Sequence, residues 1–135
     1  MQNAILSAKE LIKKRKLIEE KKRKEFIVEI KDMGQFKFRT PDMFDVIDSQ
    51  AFKDGGHEEE YMVYTCMVEP NLRNAELQEA YECHEPFDIV DALFLPGEKQ
   101  AIAQLLLDQA GYKDDIAKVV SEVKNGSSAE TSNSN

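Results

Sequence analysis

EFIVEIKDMGQFKFR, residues 25–39, contains two short stretches in which apolar and polar residues alternate. Side chains of an extended strand alternate between its two faces, so each stretch places its apolar residues on one side. Those residues are Phe26, Val28 and Ile30 in the first stretch and Phe36 and Phe38 in the second. The DMG sequence at residues 32–34 is typical of a turn. The pattern predicts a β-hairpin with one apolar face, which helices must cover because a lone hairpin is barely stable in water.

The chain after the hairpin is predicted to form short helices separated by Gly and Pro residues. TPD at residues 40–42 is typical of a helix start, with the Thr40 hydroxyl as the cap and Pro at the first helical position. We expect this helix to place Phe44, Ile47 and Ala51 in the core.

Residues 58–68 are predicted to form the next helix, with Tyr61, Thr65 and Val68 on one face and Met62 and Cys66 flanking it. The β-branched and aromatic content leaves a strand as an alternative. Four further helices are predicted: one capped by Asn74, one starting at Glu85-Pro86, one from Pro96 to Ala110 that ends at Gly111, and one capped by Asp114. Their apolar stripes are Leu77 with Ala80 and Tyr81; Ile89, Val90, Leu93 and Phe94; Ala101, Ile102, Leu105, Leu106 and Gln109; and Ile116, Val119, Val120 and Val123.

The sequence thus predicts an α+β fold that is mostly helical, in which a two-stranded β-hairpin packs on several short helices. We divide the chain into a basic N-terminal helix or arm (residues 1–24), a globular domain with its hairpin at 25–39 (residues 25–123), and a disordered tail (residues 124–135). The tail is rich in Gly, Ser, Asn and Thr, a composition that buries too little apolar surface to fold.

The N-terminal arm differs from the rest of the chain in charge. Residues 1–39 hold 12 of the 18 Lys and Arg residues against six acids, a charge of +6, so the remainder carries −14 within a net charge of −8. The arm also has a narrow apolar stripe, which is too narrow for an ordinary core helix. We therefore predict that Leu11, Ile12 and Ile18 bind a partner protein.

Few residues suit catalysis or metal binding. One of the two His residues, His57, lies in a Gly-rich acidic loop, and the other belongs to CHE at residues 83–85, where adjacent side chains do not readily converge on one ion. Glu85, Asp88 and Asp91 share a helix face and could do acid–base work or hold Mg²⁺. We interpret them as capping and solvation groups. The sequence predicts no enzyme, no catalytic residue, no metal and no cofactor.

Membrane insertion and secretion are not expected either. The 135 residues include no apolar run near the length that spans a bilayer, and no apolar segment of a signal peptide follows the basic N-terminus. We expect a cytoplasmic protein without a small-molecule substrate.

Five pieces of the sequence between residues 68 and 112 carry a resemblance to a known family: VEPNL at 68–72, ELQEAY at 76–81, EPFDIVDALF at 85–94, PGE at 96–98, and residues 102–112. This stretch of about 45 residues resembles the XkdN/YqbN-like tail assembly chaperones of tailed phages and prophages. The hairpin and the helix after residues 40–42 are similar to the front half of that family.

The resemblance implies a non-catalytic assembly factor in the host cytoplasm. Such chaperones coat the tape-measure protein, keep it soluble and help bring tail-tube protein to it, and they are absent from the mature virion. In many tailed phages a ribosomal frameshift near the end of this reading frame also gives a longer product. Self-association is a further possible contact, and the family supplies no catalytic or binding residues to carry over.

The alternative function is a small nucleic-acid-associated regulatory protein that binds through the basic N-terminal helix, because clustered Lys and Arg are the usual footprint of such binding. Acids accompany these bases between Glu10 and Glu29, and no aromatic residue stands among them to stack on bases. We therefore favour protein binding over nucleic-acid binding.

Overall fold

The computed structural model describes residues 5–123, and a three-stranded antiparallel sheet organises them. Strand β1 (Glu25–Ile30) pairs with β2 (Gly34–Arg39), which pairs in turn with β3 (Met67–Glu69). The predicted hairpin is confirmed, with Phe26 opposite Phe38 and Val28 opposite Phe36. Residues 1–4 of the predicted arm and the predicted tail at 124–135 lie outside the described residues.

Helices make up most of the remaining structure. Their bounds are α1 (Ala8–Lys13), α2 (Arg15–Lys22), α3 (Met43–Gln50), α4 (Glu58–Cys66), α5 (Ala75–Ala80), α6 (Asp88–Leu93) and α7 (Pro96–Gln109). The predicted α+β class with mostly helical content is therefore confirmed. None of the helices within residues 5–123 combines the length and the apolarity needed to cross a bilayer.

The core forms where the apolar face of the hairpin meets α4, α6 and α7. Its fully enclosed side chains include Phe38, Val63, Ile89, Ile102 and Leu106. The rings of Phe36 and Phe94 pack edge to face with centroids 5.3 Å apart, which joins the sheet to the end of α6. Helix α4 lies at the centre of this arrangement, because α3, α6 and α7 all pack against it.

Three of the four further helices form, although α6 begins at Asp88 and not at Glu85-Pro86, and Ala80 and Tyr81 of the predicted α5 stripe are exposed. Asn74 caps α5 by accepting a hydrogen bond from the Leu77 backbone N–H at 2.9 Å. Helix α6 buries Ile89 and Val90, and Gly111 ends α7 with a φ of +95°, in the left-handed region that glycine adopts without strain. On α7, however, Ala101 and Leu105 are exposed, so the predicted stripe is wider than the buried one.

Residues 58–68 combine both predicted alternatives, since α4 ends at Cys66 and β3 begins at Met67. The centre of the predicted face is wrong, because Tyr61 and Thr65 are only half-buried. The predicted flanking residues Met62 and Cys66 are buried, together with Val63. A helix that neighbours surround shows no single apolar stripe, so periodicity could not select its inner face.

The predicted single N-terminal helix is in fact two helices that meet at Lys14, where φ is −87° and ψ is 4°. No residue of either helix is buried. Without tertiary contacts, short helices depend on local terms alone, and like charges three or four residues apart weaken them. The basic run KKRK at residues 13–16 therefore accounts for the break.

The start and the orientation of α3 also differ from the prediction. Asp42, not Thr40, caps the helix, and the Thr40 hydroxyl instead donates a hydrogen bond to the Lys24 carbonyl at 3.1 Å. Phe44, Ile47 and Ala51 point outward, not into the core.

A polar contact sets the orientation of α3. The Asp45 carboxylate accepts hydrogen bonds from both terminal nitrogens of the Arg39 guanidinium, at 2.6 and 3.1 Å, and Asp45 and Ser49 are the buried residues of the helix. A bidentate charged pair gains more from burial in a fixed geometry than an exposed one, so the polar side of α3 turns toward the sheet.

The last predicted helix does not form. Residues 114–123 have no helical hydrogen-bonding pattern, and Ile116, Val119, Val120 and Val123 are all exposed. β-Branched residues are weak helix formers, and a segment this short needs a packing surface to become helical.

Candidate functional site

The arm formed by α1 and α2 carries the residues that the sequence predicts to bind a partner. Ser7 caps α1: its hydroxyl accepts the Glu10 backbone N–H at 3.1 Å, and the Glu10 carboxylate accepts the Ser7 backbone N–H at 2.9 Å. The backbone hydrogen bond from Ser7 also lowers the pKa of Glu10 below its ordinary value. This capping box fixes the first turn of an otherwise unsupported helix.

The structure brings two of the three predicted binding residues together. Leu11 and Ile12 lie next to each other on α1, and Ile12 is 72% exposed. Ile18 lies beyond the break at Lys14, on α2, and is half-buried. None of the three belongs to the core cluster of the described residues.

A second apolar surface lies on α3, and the sequence analysis missed it by assigning these residues to the core. Met43, Phe44 and Ile47 are 73%, 74% and 57% exposed, and the spacing of Met43 and Ile47 places them one turn apart on the same side. We call these three residues the outer face of α3. The signal that could have revealed it is Asp45, an acid in the middle of an apolar stretch with an arginine at the end of the preceding strand.

The ion pair beneath this face holds α3 in place. Burial raises the pKa of Asp45, but hydrogen bonds from the Arg39 guanidinium and from the Asp42 backbone N–H outweigh burial and leave the pKa below its ordinary value. Arg39 also donates to the Thr65 carbonyl at 3.3 Å, which ties the pair to α4. The outer face of α3 is therefore presented by a fixed helix.

A cleft of about 830 Å³ begins at the outer face of α3 and separates it from the end of α2 and from the chain that follows α7. Its lining includes Lys21, Lys22, Lys24, Phe44, Tyr112 and Ile116. Within residues 5–123, none of the three lysines forms an ion pair. We call this feature the basic cleft.

The carboxylates that line the basic cleft are already engaged within their own helices. Asp42 accepts the Asp45 backbone N–H at 2.9 Å, and Asp108 accepts a hydrogen bond from the Gln104 side chain at 2.9 Å. The cleft thus combines an apolar wall with cationic groups that would gain from an anionic occupant.

A cluster of charged side chains joins α4, α6 and α7. Lys99 donates a hydrogen bond to Glu60 at 2.6 Å and another to Asp91. Burial lowers the pKa of Lys99, but its two carboxylate partners outweigh that effect and raise it overall. Burial likewise raises the pKa of Asp91, and the hydrogen bond from Lys99 outweighs it and lowers that pKa.

The same cluster is the place where a metal could be considered. Ligand atoms of His57, Glu60 and Asp91 lie within 4.8 Å of one another, and Glu60 Oε1 is the one buried side-chain oxygen without a hydrogen bond among the residues described. His57 Nδ1 stands 3.7 Å from that oxygen. However, the Lys99 ammonium already supplies the positive charge between the two carboxylates, so the arrangement is a structural ion cluster.

The other chemistry candidates do not converge. Asp88 accepts hydrogen bonds from the His84 and Glu85 backbone N–H groups at 3.2 and 2.9 Å, so it holds the turn before α6, whose N-cap Phe87 makes no side-chain capping hydrogen bond. Cys66 is fully buried, and burial raises the pKa of its thiol to about 12. A thiol of this kind stays protonated at neutral pH and is a poor nucleophile.

Comparison with known proteins identifies one family. The model of a family described as phage XkdN-like tail assembly chaperone protein matches residues 7–124, which includes both surfaces described above. No curated protein and no solved structure matches the chain.

Proposed function

Because the chain belongs to the family of phage XkdN-like tail assembly chaperones, we propose that it binds the tape-measure protein stoichiometrically and assists the assembly of the tail tube around it. A tape-measure protein presents long apolar helical surfaces, and such surfaces aggregate when they are left bare. A chaperone that covers them until tube subunits arrive needs a binding surface and no catalytic group.

The observation that carries the proposal is the presence of apolar side chains on the arm. Leu11 and Ile12 are exposed and Ile18 is only half-buried, on helices that bury no residue completely. A helix-in-groove contact would cover apolar side chains that a helix presents in this way. Because α1 has only six residues, a partner helix would also stabilise it.

The uneven charge of the chain suits this task. Beyond residue 39 the chain carries −14, which keeps a chaperone bound to an apolar client in solution. We place the protein in the host cytoplasm, where tails assemble, and expect it to be absent from the finished virion.

The proposal is tested by co-expression with the tape-measure protein of the same phage, followed by a pull-down at low and high salt. We expect capture that persists at high salt, because an apolar interface is not screened by ions. Replacing Leu11→Asp and Ile18→Asp together should weaken capture at least about tenfold, as two anchors of the interface are lost. The body should remain folded by circular dichroism.

Leu95→Asp is the matched control, since it places the same charge on an exposed apolar position outside the arm, the outer face of α3 and the basic cleft. Leu95 is the N-cap of α7, a position that Asp favours, so this variant should fold and capture its partner normally. No capture of the tape-measure protein by the wild type would refute the function. Equal capture by the arm variant and the control would refute the arm as its interface.

Nucleic-acid binding remains the competing prediction. It requires binding to DNA or RNA that falls steeply as salt rises and that depends on the lysines of the arm.

A further inference from the structure

The segment that follows α7 is exposed, apolar on one side and acidic. Residues 114–123, DDIAKVVSEV, carry a net charge of −2. Val119 and Val120 are 81% and 83% exposed, and the spacing of Ile116, Val119, Val120 and Val123 would align them on one face if the segment became helical. The segment is therefore an acidic, amphipathic sequence that lacks a surface to fold against.

The basic cleft and the outer face of α3 have the complementary properties. Lys21, Lys22 and Lys24 face the cleft without ion pairs among the described residues, and Met43, Phe44 and Ile47 continue its apolar wall along α3. The wall extends beyond the cleft along the helix. An elongated occupant with apolar and acidic sides would match it better than a compact small molecule.

We propose that residues 114–123 of one copy fold as an amphipathic helix onto the basic cleft and the outer face of α3 of a second copy, and that the exchange is reciprocal. The valines and Ile116 would pack on Phe44 and Ile47, while Asp114, Asp115 and Glu122 approach the lysines. A reciprocal exchange has twofold symmetry, the commonest arrangement of soluble dimers.

A second copy is favoured over the chain's own segment by the structure itself. Tyr112 and Ile116 already line the cleft of their own chain, yet Phe44 remains 74% exposed and the rest of the segment is not packed. Within one chain the segment therefore leaves Phe44 and Ile47, on the outer face of α3, exposed.

The surface available is enough for a weak specific dimer. Seven exposed apolar side chains, at roughly 80 Å² each, give roughly 550 Å² per copy. A reciprocal pair would then bury roughly 1,100 Å², just above the ~1,000 Å² that a specific interface requires. Because the segment must also become ordered on binding, we expect a dissociation constant in the micromolar range.

The first test is sedimentation equilibrium of the full chain from about 5 to about 500 µM, a range that spans micromolar affinity. We expect a monomer–dimer equilibrium that Val119→Ser combined with Val120→Ser weakens at least about tenfold, as does Phe44→Ser. All three positions are exposed, so the monomer should fold unchanged. Ile12→Ser, on the arm, is the matched control and should leave dimerisation intact.

The second test is a charge exchange between two variants. One carries Lys21→Glu, Lys22→Glu and Lys24→Glu, and the other carries Asp114→Lys, Asp115→Lys and Glu122→Lys. Each variant alone places like charges across both contacts and should dimerise at least about tenfold more weakly than the wild type. In an equimolar mixture both contacts of the mixed dimer again join opposite charges, so dimers should return.

Two results would overturn the proposal. If the wild-type chain is monomeric at every concentration, a second copy does not occupy the cleft, and its occupant would be a different protein. A mixture of the two charge variants that stays monomeric would show that the segment and the cleft do not meet across copies. Neither result depends on tape-measure binding, which uses the arm and is measured separately.

Discussion

Replacing Lys99→Met should destabilise the protein more than the loss of any surface lysine. Among residues 5–123, Lys99 is the one cation that contacts both Glu60 and Asp91, and the Glu60 side chain is only 6% exposed. Without Lys99, the Glu60 carboxylate stays buried and neither of its oxygens has a partner, because Oε2 loses the lysine and Oε1 already lacks a hydrogen bond. Burying a charge without its partner is strongly unfavourable.

The magnitude follows from the degree of enclosure. Breaking a buried ion pair on one side costs about 3–5 kcal/mol. Asp91 and His57 are about half exposed, so water can approach one side of the cluster, and we expect about 3 kcal/mol, the lower end of that range. With an m-value of about 1.5 kcal/mol/M, the urea midpoint should fall by about 2 M.

Urea unfolding followed by far-ultraviolet circular dichroism measures this loss directly. Lys37→Met is the matched control, because Lys37 approaches its two carboxylates at 3.8 and 4.0 Å on the surface and should cost less than about 0.5 kcal/mol. The double variant Glu60→Met with Lys99→Met removes both buried charges. Its free energy of unfolding should lie within about 1 kcal/mol of the wild-type value. The reasoning is refuted if Lys99→Met costs no more than the control, or if the double variant is as unstable as the sum of both single changes.

Three further predictions concern single side chains. Phe38→Ala, in the core, should cost about 3–5 kcal/mol in urea unfolding, whereas Phe44→Ala should change stability by less than about 0.5 kcal/mol, and equal losses would contradict the outward orientation of α3. Asp45→Asn should cost about 1.5–3 kcal/mol at pH 7, because a hydrogen-bonded charge is lost. The pKa of Asp45 is lowered in the folded state, so its charge stabilises the fold above the unfolded pKa of about 3.9, and this stabilisation disappears as pH falls through the folded pKa. The difference in unfolding free energy between the wild type and Asp45→Asn should therefore shrink below about pH 4. Iodoacetamide at pH 8 should label the half-buried Cys83 in the native protein and Cys66 only after unfolding, and labelling of both at equal rates would contradict the burial of Cys66.

Local patterns that the fold does not override were predictable from the sequence. The hairpin register follows from the period of two in the apolar residues of both strands, which only the exposed Ile27 interrupts. A shift by one residue would turn Phe36 and Phe38 to solvent. The caps at Asn74 and Gly111 follow from side-chain and backbone chemistry within a few residues.

Long-range contacts account for what was missed in the core and the sheet. Strand β3 depends on pairing with β2, about thirty residues earlier in the chain, so local composition could not decide between helix and strand there. The inner face of α4 depends on the three helices that surround it. The inward turn of Asp45 depends on Arg39, and an acid in a helix is ordinarily assigned to the surface.

The other wrong predictions, which placed exposed residues in the core, have a different cause that bears on function. Phe44, Ile47, Val119 and Val120 have the periodicity of buried positions, yet each is exposed. Periodicity shows that a face favours removal from water, but it does not show whether the same chain or another molecule covers it. The core cluster of residues 5–123 does not include these four side chains. Apolar faces of this kind on a family of assembly chaperones are what binding to other chains would require, and the positions at which core prediction failed are for that reason the ones to test for contact.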